Sequence, residues 1–160
     1  SISDTLSSEF FTKVNVGIGT PVVGVKDLAR SFKEAQTALE VGKVFDTDKN
    51  IVSYDNLGIA RLIYHLPTTL CETFLKEVFK KNSIESLDHE TLFTIQKFFE
   101  NSLNVSETSR KLFVHRNTLV YRLDKIKKLT GLDLREFDHA IIFKIALMVK
   151  KYLAANPTKF

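Results

Sequence analysis

Cysteine, proline, glycine and tryptophan are scarce in this chain of 160 residues, which has one, three, six and none of them respectively. Cys71 cannot form an internal disulfide and has no neighbours at metal-ligand spacing, so a disulfide-stapled scaffold is excluded. A lone cysteine fits a reducing setting, and we therefore expect a cytoplasmic protein. No uninterrupted apolar run is long enough to cross a membrane, so we expect no membrane partner.

Residues that could catalyse a reaction are also few. The four histidines are His65, His89, His115 and His139. They are scattered at neither metal-ligand nor catalytic-triad spacing. Asp46, Asp48 and Asp55 are spaced as turn residues and not as a metal site, and the GIGT segment at 17–20 is too short for a phosphate-binding loop. We therefore expect no enzyme activity, no metal site and no cofactor.

Charge is distributed unevenly along the chain. The 23 basic and 19 acidic residues give a net charge of +4. Residues 101–160 contain 12 basic and 5 acidic residues, a net charge of +7, whereas residues 1–100 contain 11 and 14, a net charge of −3. A basic excess confined to one part of a chain is typical of a nucleic-acid-binding region. Charge alone does not distinguish DNA from RNA or from an acidic protein partner.

The pattern of the chain predicts a mainly α fold with one small β-α-β segment at its start. Residues 14–18 alternate as a half-buried strand does, and a second short strand is expected at 51–54. Between them, Asp27 can cap a helix that runs to about Gly42. The apolar residues expected on one face of this helix are Leu28, Phe32, Ala35, Ala38 and Leu39.

From Leu57 onward the pattern is helical only. Besides the two helices of the motif described below, the predicted helices span 57–65, 68–81, 88–102 and 137–153. A boundary near residue 55 then divides the chain into a β-α-β domain at 1–55 and a helical domain at 56–160. Two strands and one helix bury too little surface to be stable alone. Either the chain is a fragment of a longer protein, or the exposed strand edge pairs with a second copy.

The most specific pattern lies in residues 104–126, which predict two short helices joined by a tight turn. Asn104 and Ser106 are good N-cap types for the first helix, and Glu107 adds negative charge where the helix dipole favours it. The gap at 113–115 is too short for anything but a sharp turn. In the second helix, apolar residues recur at i, i+4 and i+7, as in the buried stripe of an amphipathic helix. The stripe is Leu119, Leu123 and Ile126.

The second helix carries polar and basic residues toward its start, where a recognition helix contacts base edges in the major groove of DNA. The candidate DNA-contacting residues are His115, Arg116, Asn117, Thr118, Tyr121, Arg122 and Lys125. Arg116 is the best candidate for a base contact, because a guanidinium can pair bidentately with guanine. His115 and Asn117 either donate to a base or cap the helix.

The remaining candidates suit the DNA backbone. Thr118 and Tyr121 fit phosphate oxygens, although Tyr121 could instead touch a thymine methyl group. The basic residues that would neutralise phosphates are Arg122, Lys125, Lys127 and Lys128. The alternative is that these side chains form the solvated face of an ordinary helix. The preceding short helix and the tight turn favour DNA binding.

Four segments of the chain resemble a known family of bacterial regulators. FVHRNTLVYRLDKIKKLTGLDL at 113–134 resembles the C-terminal helix-turn-helix of the PucR/CdaR regulators, which control purine and sugar-diacid catabolism. Its HRNTL core is also similar to the helix-turn-helix of the Fis nucleoid protein. VNVGIGTPV at 15–23, DLARSFKEAQTALEVGK at 27–43 and YDNLG at 54–58 resemble the GGDEF-like segment that precedes the helix-turn-helix in CdaR-type regulators.

The resemblance implies a partial GGDEF-like domain within 1–55 and a helix-turn-helix at 104–130. It implies a transcriptional regulator of a purine or sugar-diacid operon, which binds double-stranded operator DNA through the helix at 115–129. The family's contact positions fall on His115, Arg116, Asn117, Thr118 and Arg122. A homodimer and a nucleoid-associated location are expected, and any effector would be bound by a region outside this chain. No GGDEF motif is present, so the resemblance implies no nucleotide cyclisation.

Two alternatives stay open at this point. The basic helix could instead belong to a protein-interaction or dimerisation module that binds an acidic partner. The helix at 137–153 is apolar over much of its circumference, which implies burial on more than one side. It either packs across the back of the helix-turn-helix or forms a dimer contact.

Overall fold

The computed structural model describes residues 5, 8, 9, 11, 14–45, 49–79, 84 and 87–155. Within these residues the chain forms seven α-helices and one sheet of two strands, so the expectation of a mainly α fold is confirmed. Asp46 and Asp48 lie outside the described residues, as does the end of the helix predicted to reach residue 81. No described helix has the length and hydropathy needed to cross a membrane.

The elements follow the predicted order with small shifts of their ends. They are β1 (Val16–Ile18), α1 (Leu28–Phe45), β2 (Ile51–Ser53), α2 (Ile59–Tyr64), α3 (Thr68–Val78), α4 (His89–Glu100), α5 (Val105–Lys111), α6 (Arg116–Thr130) and α7 (Phe137–Ala155). Single 3-10 turns precede α1 and α2. The helix-turn-helix is formed by α5 and α6.

The two strands are parallel, and α1 connects them. Val16 is paired with Ile51, and Ile18 with Ser53. The helix lies very close to the sheet, because a Cβ atom on Gly17 would be 2.2 Å from the carbonyl oxygen of Ala35. Only glycine fits at this point of the strand, because a side chain would collide with the backbone of α1.

The apolar face predicted for α1 is wrong in its first two turns. Leu28 and Phe32 are exposed, although their spacing predicted burial. The residues that meet the sheet are small: Ser31, next to Phe32 in sequence, lies against Gly19, and Ala35, a member of the predicted face, lies against Gly17. Ala38, also predicted on this face, is fully buried. Close approach of the helix to the strands selects small side chains, so the large ones are displaced to the side of the contact.

The chain divides into two compact units. One comprises Ser1–Thr68 together with Met148–Phe160, and the other comprises Thr69–Leu147. The first has a small core, whose buried members are Ala38, Val41, Val52, Leu57 and Ala60. In the same unit the hydroxyl of Tyr152 donates to the carbonyl of Leu66 at 3.3 Å. The boundary near residue 55 stays a prediction.

The unit at Thr69–Leu147 contains the larger core, to which α4, α6 and α7 contribute. Its largest fully buried side chains are Ile95, Phe98, Leu119, Leu123, Ile126, Leu134 and Phe143. The ring of Phe79 meets the ring of Phe143 edge to face at 5.6 Å between centroids. Phe143 and Ala146 belong to the same cluster as the stripe of α6, so the start of α7 packs against the helix-turn-helix. A dimer contact made by α7 stays a prediction.

Candidate nucleic-acid interface

A local hydrogen bond caps the start of α5, the first helix of the motif. The side chain of Asn104 accepts a hydrogen bond from the backbone N–H of Glu107 at 2.9 Å, which confirms one of the two predicted caps. Glu107 pairs with Arg110 at 2.9 Å on the exposed side. Thr108 and Ser109 are buried on the opposite side. These small side chains let α5 and α6 cross closely.

The turn between the two helices contains no glycine. The N–H of Phe113 donates to the carbonyl of Arg110 at 3.1 Å, and the N–H of Val114 donates to the carbonyl of Ser109 at 3.0 Å. Phe113 has φ of +54°, in the left-handed region where glycine is usual at the end of a helix. The chain therefore reverses sharply, as the spacing predicted, although no sequence signal marked the residue that takes this conformation.

His115 is the N-cap of α6. Its Nδ1 accepts a hydrogen bond from the backbone N–H of Asn117 at 3.2 Å. His115 therefore caps the helix and Asn117 does not, while donation to a base stays a prediction for both residues. Since Nδ1 accepts, the neutral ring carries its proton on Nε2, which leaves a donor on an exposed residue.

The buried side of α6 is the predicted stripe. Leu119, Leu123 and Ile126 are almost completely buried in the core. The helix ends at Gly131, which has φ of +79° and donates its N–H to the carbonyl of Lys127 at 2.8 Å. With about 100° between successive residues, a stripe of this kind fixes which side chains point away from the core.

The N-terminal turns of α6 carry unpaired polar side chains. Arg116, Asn117, Thr118 and Tyr121 are all exposed, and 71% of Tyr121 is accessible to solvent. None of these four side chains makes a hydrogen bond or ion pair with another residue in the described part of the chain. Their polar groups are therefore available to contact a partner. We call them the free group.

The two candidates that follow are held by α4 instead. Arg122 places Nη2 2.5 Å from a carboxylate oxygen of Glu90, and its Nη1 donates to the hydroxyl of Thr94 at 3.1 Å. Thr94 is completely buried, and its hydroxyl also donates to the carbonyl of Glu90 at 2.9 Å, so the bond from Arg122 supplies a second partner where water cannot reach. Lys125 lies 3.6 Å from Asp88, the N-cap of α4. Hydrogen bonds from Thr91, and then Lys125, hold the pKa of Asp88 below its usual value.

The C-terminal end of α6 has a second carboxylate cluster. Asp133 accepts from Lys127 Nζ at 3.1 Å and from Arg135 Nε at 2.8 Å. Arg135 also donates to Asp124 at 2.7 Å. The hydrogen bonds from Arg135 hold the pKa of the buried Asp133 far below its usual value. Lys128 is exposed and makes no ion pair with any described residue.

The seven predicted site residues therefore form two groups, which differ in whether the side chain is paired with a carboxylate. Five lie exposed at the start of α6, namely His115, Arg116, Asn117, Thr118 and Tyr121. Arg122 and Lys125 are occupied by carboxylates of α4. Contact with DNA stays a prediction for all seven. Sequence reasoning placed Phe113 only in the turn, and gave no sign that 96% of this residue is exposed beside the free group.

Asp55 and the four histidines lie in the described part of the chain. Among the described residues there is no group of three or more His, Cys, Asp or Glu that could hold a metal ion. Asp55 accepts a hydrogen bond from the hydroxyl of Thr20 at 3.1 Å. The expectation that the chain has no enzyme activity stays a prediction.

Two family models match the chain. Residues 91–149 match the PucR C-terminal helix-turn-helix domain, and residues 1–41 match the GGDEF-like domain. The first match begins in α4 and runs through α5 and α6 into α7, so it contains the whole free group. The second covers β1 and most of α1.

Three curated relatives are similar over most of this chain. The carbohydrate diacid regulator of Escherichia coli (strain K12) is 31% identical over 139 residues, which cover 86% of this chain and 36% of that protein. The purine catabolism regulatory protein of Bacillus subtilis (strain 168) is 26% identical, covering 93% and 28%. The proline-responsive transcriptional activator PutR of the same strain is 27% identical, covering 88% and 35%. The chain thus spans about a third of the length of these relatives.

Proposed function

Because the chain carries a PucR-type C-terminal helix-turn-helix domain preceded by part of a GGDEF-like domain, we propose that it is a transcriptional regulator that binds operator DNA through α6. Its relatives are named as regulators of carbohydrate diacid and purine catabolism and as a proline-responsive activator. The target of this chain is accordingly an operon of a catabolic pathway, of the purine or sugar-diacid type.

The free group is the observation that carries this proposal. A buried stripe fixes α6 against the core, while Arg116, Asn117 and Thr118 project from its first turn without partners in the described part of the chain. A recognition helix contacts base edges with these same turns. Arg116 supplies the fork of donors that matches guanine, and Asn117 supplies the amide that matches adenine. Together they form a surface suited to the donor and acceptor pattern of the major groove.

The contacts to phosphate that position the protein on DNA come from cations outside the first turn of α6. Lys128 lies exposed further along α6, and Lys111 lies exposed at the end of α5. Such cations fix register on the duplex and contribute affinity that falls with salt concentration. The net charge of +7 in residues 101–160 supports a negatively charged partner, and the polar start of α6 favours duplex DNA among such partners.

Further properties follow from this function. The chain acts as a homodimer, because two half-sites about 34 Å apart double the contacts to DNA. It works in the cytoplasm at the nucleoid, it catalyses no reaction, and its effector is bound outside the residues of this chain. Asn117 beside Arg116 supports DNA over an acidic protein partner, since a neutral amide pairs bidentately with adenine and has no ionic attraction to carboxylates.

Selection of bound duplexes from a random DNA pool tests the proposal. We expect enrichment of one short motif, repeated as a palindrome if the protein binds as a dimer. The selected duplex should then bind at least tenfold more tightly than a scrambled duplex at the same salt concentration. Equal affinity for both duplexes at every salt concentration would contradict sequence-specific regulation and favour the acidic-partner module.

A further inference from the structure

Phe113 is an exposed aromatic residue in a strained position. Its φ is +54°, and 96% of its surface is accessible to solvent. The two neighbouring residues of the turn, Leu112 and Val114, are partly buried against the core. The apolar character of Phe113 therefore does not serve the packing of the turn.

If only the stability of the fold mattered, glycine would be favoured at position 113. Glycine takes a positive φ without steric cost, whereas a bulky side chain does so at a penalty. Burial could compensate for such a penalty, but the Phe113 side chain is in solvent. The sharp turn after α5 needs a positive φ at this position but does not need a phenylalanine, and residues that carry such strain are concentrated at functional sites. The position thus points to a role in binding.

The surroundings of Phe113 indicate the kind of partner. Lys111 and Arg116 flank the turn, and both are exposed without ion pairs in the described part of the chain. A single exposed ring in a turn that is flanked by two exposed cations does not match an apolar protein surface, which would leave those charges desolvated. It matches the DNA major groove, where phosphates attract the cations and the thymine C5-methyl is the apolar group displayed.

We propose that Phe113 packs against a thymine C5-methyl group beside the bases contacted by the start of α6, and so selects a T·A pair there. This inference rests on the proposed DNA-binding function. It assigns to the turn a part in sequence discrimination, in addition to the helix that follows it.

A methyl-deletion experiment tests the inference on the full chain. The probes are the duplex selected from the random pool and a series in which each thymine is replaced by deoxyuridine, which lacks only the methyl group. Phe113→Gly should bind the selected duplex about fourfold more weakly, the effect of losing one methyl-sized apolar contact. One deoxyuridine substitution should weaken the parent by a similar factor and should not weaken Phe113→Gly any further.

Stability separates this effect from damage to the fold. Phe113→Gly removes the strain, so it should melt no earlier than the parent and up to about 4 °C later. Phe113→Asn also tolerates a positive φ and should show the same loss of affinity if the glycine variant misfolds. Phe32→Ala removes another exposed phenylalanine, from α1, and should leave affinity unchanged.

Two results would overturn the inference. One is that both Phe113 variants bind the selected duplex within twofold of the parent, and the other is that no deoxyuridine position affects the parent. The proposed function fails separately, through the absence of any preference for the selected duplex over a scrambled one. Loss of binding in Arg116→Ala combined with normal binding in Phe113→Gly rejects the thymine contact alone.

Discussion

The two halves of α6 contain similar residues in different electrostatic surroundings. Arg116 in the first turn has no ion pair in the described part of the chain, whereas Arg122 is held by Glu90 and Thr94. Lys125 and Lys127 also lie beside carboxylates, those of Asp88 and Asp133. A basic helix can therefore serve two purposes. Its start is available to a partner, and most of the cations in its second half hold the helix to its own domain.

The largest expected effect comes from the first half. Arg116→Ala should reduce affinity for the selected duplex by about 1–3 kcal/mol, because a bidentate base contact is lost. Affinity for scrambled DNA should change much less. Fluorescence anisotropy with both duplexes measures the difference, and thermal melting should be unchanged because the exposed Arg116 makes no hydrogen bond or ion pair with any described residue. An equal loss on both duplexes would show that Arg116 contacts phosphate instead.

The next largest effect is expected for Asp133, whose carboxylate lies just beyond the C-terminal end of α6. Asp133→Asn should lower the free energy of unfolding by about 2 kcal/mol at pH 7, since Lys127 and Arg135 lose a charged acceptor. The folded pKa of Asp133 lies below the unfolded value of about 3.8, so this stabilisation is present above that pH and is lost as the pH falls through the folded pKa.

Urea unfolding at several pH values measures this dependence. The stability difference between the parent and Asp133→Asn should shrink steadily below about pH 4. A difference that stays constant from pH 7 to pH 2 would mean that the charge of Asp133 does not stabilise the fold.

A third experiment compares the two arginines directly. Arg122→Ala should lower the free energy of unfolding by about 1–2 kcal/mol, mainly because the buried hydroxyl of Thr94 loses a charged donor. Affinity of the folded protein for the selected duplex should fall less than in Arg116→Ala. Glu90→Gln serves as the matched control. It should lower the free energy of unfolding by less than Arg122→Ala does, since Glu90 is mostly exposed. A full loss of DNA binding by Arg122→Ala with an unchanged melting temperature would instead show that Arg122 contacts DNA.

The smallest effect distinguishes two neighbouring lysines. Lys128→Ala should reduce the slope of log affinity against log salt concentration by about 0.9, the value for one phosphate contact. Lys127→Ala should reduce it less, because Asp133 already compensates that charge. Titrations at four or more salt concentrations measure both slopes, and equal reductions would show that Lys127 leaves Asp133 to bind DNA.

Local patterns were enough to predict much of the helix-turn-helix. The Asn104 cap, the turn after α5 and the stripe of Leu119, Leu123 and Ile126 all depend on residues within one or two turns of each other. The face of α1 was mispredicted for the opposite reason. Its periodicity suggested burial of Leu28 and Phe32, but the close approach of the strands selects the small residues beside them.

The sequence by itself determined where the helices begin, which side of α6 is buried and where the positive charge is concentrated. These properties follow from helical periodicity, capping and residue counts, which need no knowledge of distant contacts. Only the tertiary structure decided which cations of α6 are available. Glu90 and Thr94 come from a helix about thirty residues earlier, and only packing of α4 beside α6 brings them to Arg122. Electrostatic pairing depends on distance in space, which sequence separation does not reveal.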